Sequence, residues 1–374
     1  MELLERLTSD GPKRILALDG GGVRGALTIG FLEQLERTLR ERHGRPSLTL
    51  CDYFDLIGGT SIGAIIAVGL AIGMEVAEIK HESLKMAGEV FSKRKWKRWQ
   101  ASFDVKPLEE HLARICGDRT LADSSIRTGL CIVTKRVDTG STWPLINHPH
   151  GKYFKENGQI LLRDALRASA AAPVYFVPTK IEISPGQYGA FVDGGVSMAN
   201  NPALQLLLLA TLSGFPFGWR TGEDHLLLVS VGTGLSRQRY DVDNVVEGKA
   251  WNWATRIPSM LMEDANWQGQ LLLQYLSRTE TPWHFDDEVS DLAADLLTSE
   301  PALRYLRYDV WLEADVLEEL GLSALVPHLE SLRKMTAGEH RDDLFKIGQE
   351  AGKRQVLESH FPPAFDLGVG PTAV

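Results

Sequence analysis

Tyr53-Phe-Asp-Leu-Ile57-Gly58-Gly59-Thr60-Ser61-Ile62-Gly63-Ala64 decides the fold. A short apolar run reaches a glycine turn, and an apolar stretch continues to Met74, which reads as strand, tight turn and buried helix. Within it, Gly59-x-Ser61-x-Gly63 has the form of a nucleophile elbow. Glycines flank the serine because a Cβ at either place would strike the neighbouring strand or helix backbone. The serine hydroxyl then stands at the carboxyl edge of a sheet, under the positive end of the next helix. Ile62–Met74 is shorter than the ~20 residues that cross a bilayer and is broken by Gly63, Gly69 and Gly73, so it predicts no membrane span.

The same grammar occurs upstream. Arg14–Asp19 is an apolar run ending at glycines, and Leu27, Phe31, Leu35 and Leu39 recur every fourth residue through Ala26–Arg42. Two strand–turn–helix units in series predict adjacent parallel strands joined by right-handed crossovers. In the turn, Asp19-Gly20-Gly21-Gly22-Val23-Arg24-Gly25 lets successive amides point into one concavity, a place for negative charge. Beside a nucleophilic serine it is an oxyanion hole. Arg24 is expected to lock the loop or steer an anionic head group. The same letters match the dinucleotide fingerprint Gly20-x-Gly22-x-x-Gly25, so a non-catalytic dinucleotide-binding protein is the rival reading. Asp19 would oppose a pyrophosphate, and the second strand ends in a serine elbow with no acidic ribose ligand. No GxxxxGK[ST] run supports a P-loop.

Downstream, strands are expected at Gly129–Thr134, Gly189–Val192 and Leu226–Val231, and helices near Glu75–Val90, Pro107–Cys116, Leu161–Ala170 and Pro202–Leu212. This is an open, mostly parallel α/β sheet between helical layers. Beyond Gly234 the strand signal fades, giving a catalytic domain over 14–235, a helical extension over 236–360 that packs on or caps it, and a tail over 361–374. Asp193-Gly194-Gly195 places an acid at a strand end, a candidate base for the serine, although such a tripeptide is ordinarily a turn. The histidines, including His148 and His150, sit in no triad or metal pattern.

Asp19-Gly-Gly-Gly-Val-Arg24-Gly25, Gly59-Thr-Ser61-Ile-Gly63 and Asp193-Gly-Gly195, in that order, resemble the patatin-like phospholipase family, with Val231-Gly-Thr-Gly234 also similar. The resemblance spans about 14–235 and implies a three-layer α/β fold and lipid acyl hydrolysis by a Ser–Asp dyad without histidine. It implies Ser61 as nucleophile, Asp193 as base, and Gly20, Gly21, Gly22 and Gly25 around the oxyanion hole. An ordinary carboxylate near pKa 3.9 is a poor base for a hydroxyl, so desolvation is expected to raise Asp193. No metal or cofactor is required for this chemistry. Some bacterial members look like cyclic-dinucleotide-activated phospholipases of antiphage signalling, so an activator is the alternative form of the same chemistry.

Forty Lys and Arg against 49 Asp and Glu give a formal charge of −9, which repels nucleic-acid polymers. Against that background, Lys93, Arg94, Lys95, Trp96, Lys97, Arg98 and Trp99 combine cations and indoles as interfacial lipid contacts do, or form a solvated basic loop. Trp251, Trp253 and Trp267 line an acyl channel or a protein interface, or are core. Cys51, Cys116 and Cys131 read as core thiols of a reducing compartment. Met1–Lys13 lacks the apolar core of a secretory signal, and the chain is expected in the cytoplasm, peripheral to the inner membrane face, with its oligomeric state open.

Overall fold

A computed structural model describes residues 2–92, 101–236, 242–248, 250–286 and 288–368. Among the described residues nine strands form one sheet: β1 Lys13–Leu18, β2 Leu56–Thr60, β3 Gly129–Arg136, β4 Ser141–Ile146, β5 Thr179–Ser184, β6 Gln187–Asp193, β7 Leu226–Val231, β8 Ser277–Arg278 and β9 Leu303–Tyr308. They lie in the order β5-β6-β3-β2-β1-β7-β9-β8, with β4 also paired to β3. The β3-β2-β1-β7-β9-β8 block is parallel throughout, and β4, β5 and β6 join antiparallel.

Both sheet faces are covered, which is why Ile15–Leu18 of β1 and Leu226–Val229 of β7 read as continuous apolar runs rather than alternating ones. Leu16, Leu18, Ile57, Ile132 and Val229 face one core with the Gly25–His43, Ile62–Ala71 and Val76–Val90 helices, while Ile15, Ala17, Val133 and Leu228 face a second core under the Ala203–Thr211 helix. The result is three layers. The three cysteines are free and buried.

The region after 235 departs from the expectation of a helical extension. It supplies β8 and β9, and β9 pairs in parallel with β7, Leu227 opposite Arg304 and Val231 opposite Tyr308. Its Arg341–Gln355 helix meets the Gly25–His43 helix backbone to backbone, since a Cβ on Gly348 would stand 2.0 Å from the Leu27 carbonyl oxygen. Nor is 361–368 a loose tail, because Phe361 and Phe365 are each 1% exposed. β9 escapes a hydropathy reading because Leu303-Arg-Tyr-Leu-Arg-Tyr308 carries two arginines, one of them buried by a charge partner distant in sequence. Among the described residues no helix is long and apolar enough to cross a membrane.

Candidate active site

β2, β1 and β7 are adjacent and parallel, so their carboxyl ends open on one side of the sheet, where α/β folds bind ligands. From those ends leave the Ser61 turn, the Asp19–Gly25 loop and the Gly232–Gly234 turn. Ser61 has φ 56° and ψ −123°, a left-handed conformation that strains a residue with a side chain and thrusts its hydroxyl out of the bend. The flanking glycines permit it. A Cβ at Gly59 would lie 2.2 Å from the Gly63 carbonyl carbon, and one at Gly63 would lie 2.3 Å from the Leu18 oxygen.

Asp193 arrives through strand register. On the same edge of β3, β2 ends with Thr60 opposite Val133, and β6, running the other way, ends with Asp193 opposite Thr134. Two strands therefore abut end to end across consecutive residues, and Ser61 and Asp193 meet at the joint. Both side chains line one cavity, the Ser61 hydroxyl lies close enough to the Asp193 carboxylate to favour its ionised form, and Asp193 Oδ1 accepts from the Gly195 amide at 2.8 Å. Burial pushes the Asp193 pKa up to about 6, against the lowering effect of those two donors.

The glycine loop lies alongside, and all four of its predicted glycines gather there in different roles. The Gly20 amide donates to the Asn200 carbonyl at 3.0 Å, and the Gly25 amide donates to the carbonyls of Gly22 and Val23. Among the described residues, the Gly21 and Gly22 amides have no partner within the protein, and both glycines face the Ser61 cavity. The free amides of the loop on this face are thus those of Gly21 and Gly22. Gly25 is needed for space, since a Cβ there would stand 2.4 Å from Ile62 Cγ1. Gly20 carries a further constraint: its carbonyl oxygen accepts from Thr233 Oγ1 at 3.0 Å and from Asn200 Nδ2 at 3.5 Å. A peptide unit is planar, so gripping that oxygen also aims the Gly21 N–H.

Arg24 is a loop anchor in this structure. Its Nη1 donates to the Gly234 carbonyl at 3.3 Å, and its side chain is not among those lining the Ser61 cavity. That cavity is apolar beyond its polar mouth, walled by Ile65, Met86, Val90, Phe91, Leu108 and Phe176, which suits a hydrocarbon chain. No histidine is among the described residues that line it. Trp253 is 37% exposed and Trp267 lines a different cavity. The Lys93–Trp99 segment lies outside the described residues, and so does the side chain of Trp251.

Several residues support the site in ways that the motifs do not express. Buried Ser169 accepts from the Ser61 amide at 2.9 Å and donates to the Val133 carbonyl at 2.7 Å, pinning the elbow to β3. Ser169→Ala leaves both groups buried and unpaired; we expect a loss of about 2 kcal/mol in urea unfolding, with a displaced elbow and a lower kcat. Asp19, which would have opposed a pyrophosphate, turns inward to a bidentate pair with Arg307 at 3.0 and 2.7 Å, and Arg307 also bonds Asp309 at 2.7 Å. Asp309 Oδ1 in turn accepts from the Gly234 amide at 2.8 Å. Burial, opposed by Arg307, raises the Asp19 pKa to about 6. The signal for Arg307 was present as a charged residue within a strand, but its partner lies 288 residues away.

The chain is similar to a cGAMP-activated phospholipase of Vibrio cholerae, 37% identical over 202 residues that span 51% of this chain and 55% of that protein. It is 32% identical to a cUMP-AMP-activated phospholipase of Escherichia coli over 62% of this chain and 68% of the relative. The match thus spans about half the length of the Vibrio relative. The solved structure of VipD from Legionella pneumophila aligns with a TM-score of 0.37 and 12% identity over 90% of this chain and 67% of that one. The family model described as patatin-like phospholipase matches residues 16–207, half of the chain, and the chain belongs to that family.

Proposed function

We propose that the protein is a serine lipid acyl hydrolase of phospholipase A type that cleaves acyl esters of membrane phospholipids. The observation that carries this reading is a serine on a strained turn beside a buried carboxylate, with two unpaired backbone amides at the mouth of the same apolar cavity. Ser61 Oγ attacks the ester carbonyl carbon while its proton passes to Asp193. The Gly21 and Gly22 amides take the negative charge that forms on the carbonyl oxygen, an effect of about 3–4 kcal/mol per well-placed donor. Asp193 returns the proton to the leaving alcohol, and the acyl-enzyme forms. Water then gives its proton to Asp193, its oxygen attacks the acyl carbon, and Ser61 leaves with that proton.

The base works only as its anion. With the Asp193 pKa near 6, kcat/KM is expected to rise about tenfold per pH unit below that value and level off above it. Fluorophosphonate labelling, which needs no knowledge of the substrate, should map to the Ser61 peptide and follow the same pH curve. Labelling elsewhere, or a pH-independent rate from pH 4 to 8, would remove Asp193 from this role.

The relatives, a cGAMP-activated and a cUMP-AMP-activated phospholipase, favour a second form of the reading, in which the same chemistry is gated by a cyclic dinucleotide. Release of fatty acid from phospholipid vesicles should then rise at least tenfold on adding cyclic GMP–AMP. An unchanged rate would leave the ungated enzyme.

A further inference from the structure

Two short loops frame the opening of the Ser61 cavity. Pro173 and Val196 line it and are exposed, so they stand at its mouth. Val174 follows the first and is 72% exposed, and Met198 stands two residues beyond the second and is 79% exposed. A lone exposed apolar side chain is ordinary, whereas four gathered at the rim of one apolar cavity mark a surface that meets something other than water.

The rim has three properties of a surface that enters hydrocarbon. Val174 has φ 73°, a left-handed conformation that a β-branched side chain resists and that glycine or asparagine adopts readily. Strain of this kind persists only where neighbours fix it. Here the Val174 carbonyl accepts from the Ser102 amide at 2.9 Å and the Tyr175 carbonyl from the Phe103 amide at 3.1 Å, so an isopropyl group is held out in the open. Polar groups of both loops are already paired. The Tyr175 and Phe176 amides donate to the Ala172 carbonyl at 3.1 and 2.9 Å, and the Ser197 amide and hydroxyl both donate to the Gly194 carbonyl, at 3.0 and 2.6 Å. A loop paired in this way loses little on entering a medium that offers no partners. Charge, finally, is absent: residues 168–179 and 194–219 contain no Asp, Glu, Lys or Arg, although these make up 24% of the chain. A protein partner is oriented by charged and polar pairs, whereas hydrocarbon penalises every ion carried into it.

We propose that Val174 and Met198, with Pro173 and Val196 behind them, are the surface by which the protein seats on a lipid bilayer. The rim dips below the head groups, and an acyl chain passes from the bilayer into the Ser61 cavity without crossing water. The proposal rests on the lipid hydrolase reading and gives it a docking face. A second copy of the chain is the other occupant for such a face, but a copy seated there would close the entrance of the cavity, whereas a bilayer supplies what enters it. The attraction is burial of apolar surface, which salt does not screen.

The test uses the full chain and vesicles of phosphatidylcholine, which carry no net charge. Co-sedimentation is read with Ser61→Ala protein, so that the lipid stays intact. Adding Met198→Asp or Val174→Asp should weaken binding to the vesicles at least tenfold, and high salt should not weaken binding of the parent. Val174→Asn should also weaken it, with a urea midpoint no lower than that of the parent because asparagine tolerates the left-handed backbone, which separates lost docking from a lost fold. With Ser61 in place, neither aspartate variant should change the rate of fluorophosphonate labelling in the absence of lipid. Met198→Cys carrying an environment-sensitive fluorophore, attached selectively because the three native cysteines are buried, should shift to the blue on adding vesicles. No binding by the parent, aspartate variants that bind like it, binding abolished by salt, or a fluorophore that does not shift would overturn the surface. So would a dimer that Met198→Asp converts to monomer while vesicle binding is kept. A protein that docks through this rim yet releases no fatty acid fails the hydrolase reading and keeps the face; one labelled at Ser61 whose variants dock like the parent keeps that reading and loses the face.

Discussion

Ser61→Ala should lower fatty-acid release from phospholipid vesicles by about 10⁴-fold or more, with the folded protein intact. The estimate follows from removing the only atom that forms the covalent bond, which in serine hydrolases costs about as much as removing the catalytic group as a whole. Asp193→Asn should cost a similar factor for a different reason, since the amide accepts no proton, and the two losses should not add. Their stabilities should differ. Asp193 holds its proton more tightly folded than unfolded, with a pKa of about 6 against an ordinary value of 3.8. Its contribution to stability is therefore greatest below pH 4 and is lost as pH rises through 6. Asp193→Asn removes that penalty, so its unfolding free energy should exceed that of the parent at pH 8 by up to about 2–3 kcal/mol and match it at pH 4. Paired urea titrations at the two pH values measure this. A variant equally stable relative to the parent at both values would show that the buried carboxylate is not strained by its ionisation.

Arg307→Met should be the most damaging single change away from the reacting atoms. Arg307 is 2% exposed and holds Asp19 and Asp309, themselves 4% and 1% exposed. Breaking a buried ion cluster by removing its cation costs about 3–5 kcal/mol, because carboxylates remain in a medium that cannot solvate them. Part of the loss should return on acidification, since an Asp19 freed of its partner takes up a proton more readily still. The urea midpoint gap between parent and variant should accordingly narrow from pH 8 to pH 5. Activity should fall with stability, as Asp19 opens the glycine loop and Asp309 anchors the turn that grips it. A surviving fold with parental kcat would show that the loop needs no such support.

The parts of the site legible from the chain were those written in neighbouring residues. Gly59-x-Ser61-x-Gly63 between an apolar run and a helix predicts the elbow, and the structure shows the contacts that require both glycines. Gly20–Gly25 likewise marked a loop rich in amides, but which amides were left unpaired depended on Asn200, whose carbonyl takes the Gly20 N–H. The helical reading of the chain after 235 failed at β9, where alternation with arginine resembles an amphipathic surface segment. Arg307 is buried there only because Asp19 and Asp309 receive it.

By itself the sequence settled the backbone conformations at the strand ends, because steric exclusion at a turn acts over a few residues and glycine spacing records it directly. Tertiary structure alone decided that Asp193 meets Ser61, through the register that seats Thr60 and Asp193 on successive residues of β3. It alone decided that Ser169, Thr233 and Arg307 brace the elbow and the loop. Hydrogen bonds and ion pairs between distant segments gain their strength from burial, and burial is a property of the assembled layers, which no local pattern of residues expresses.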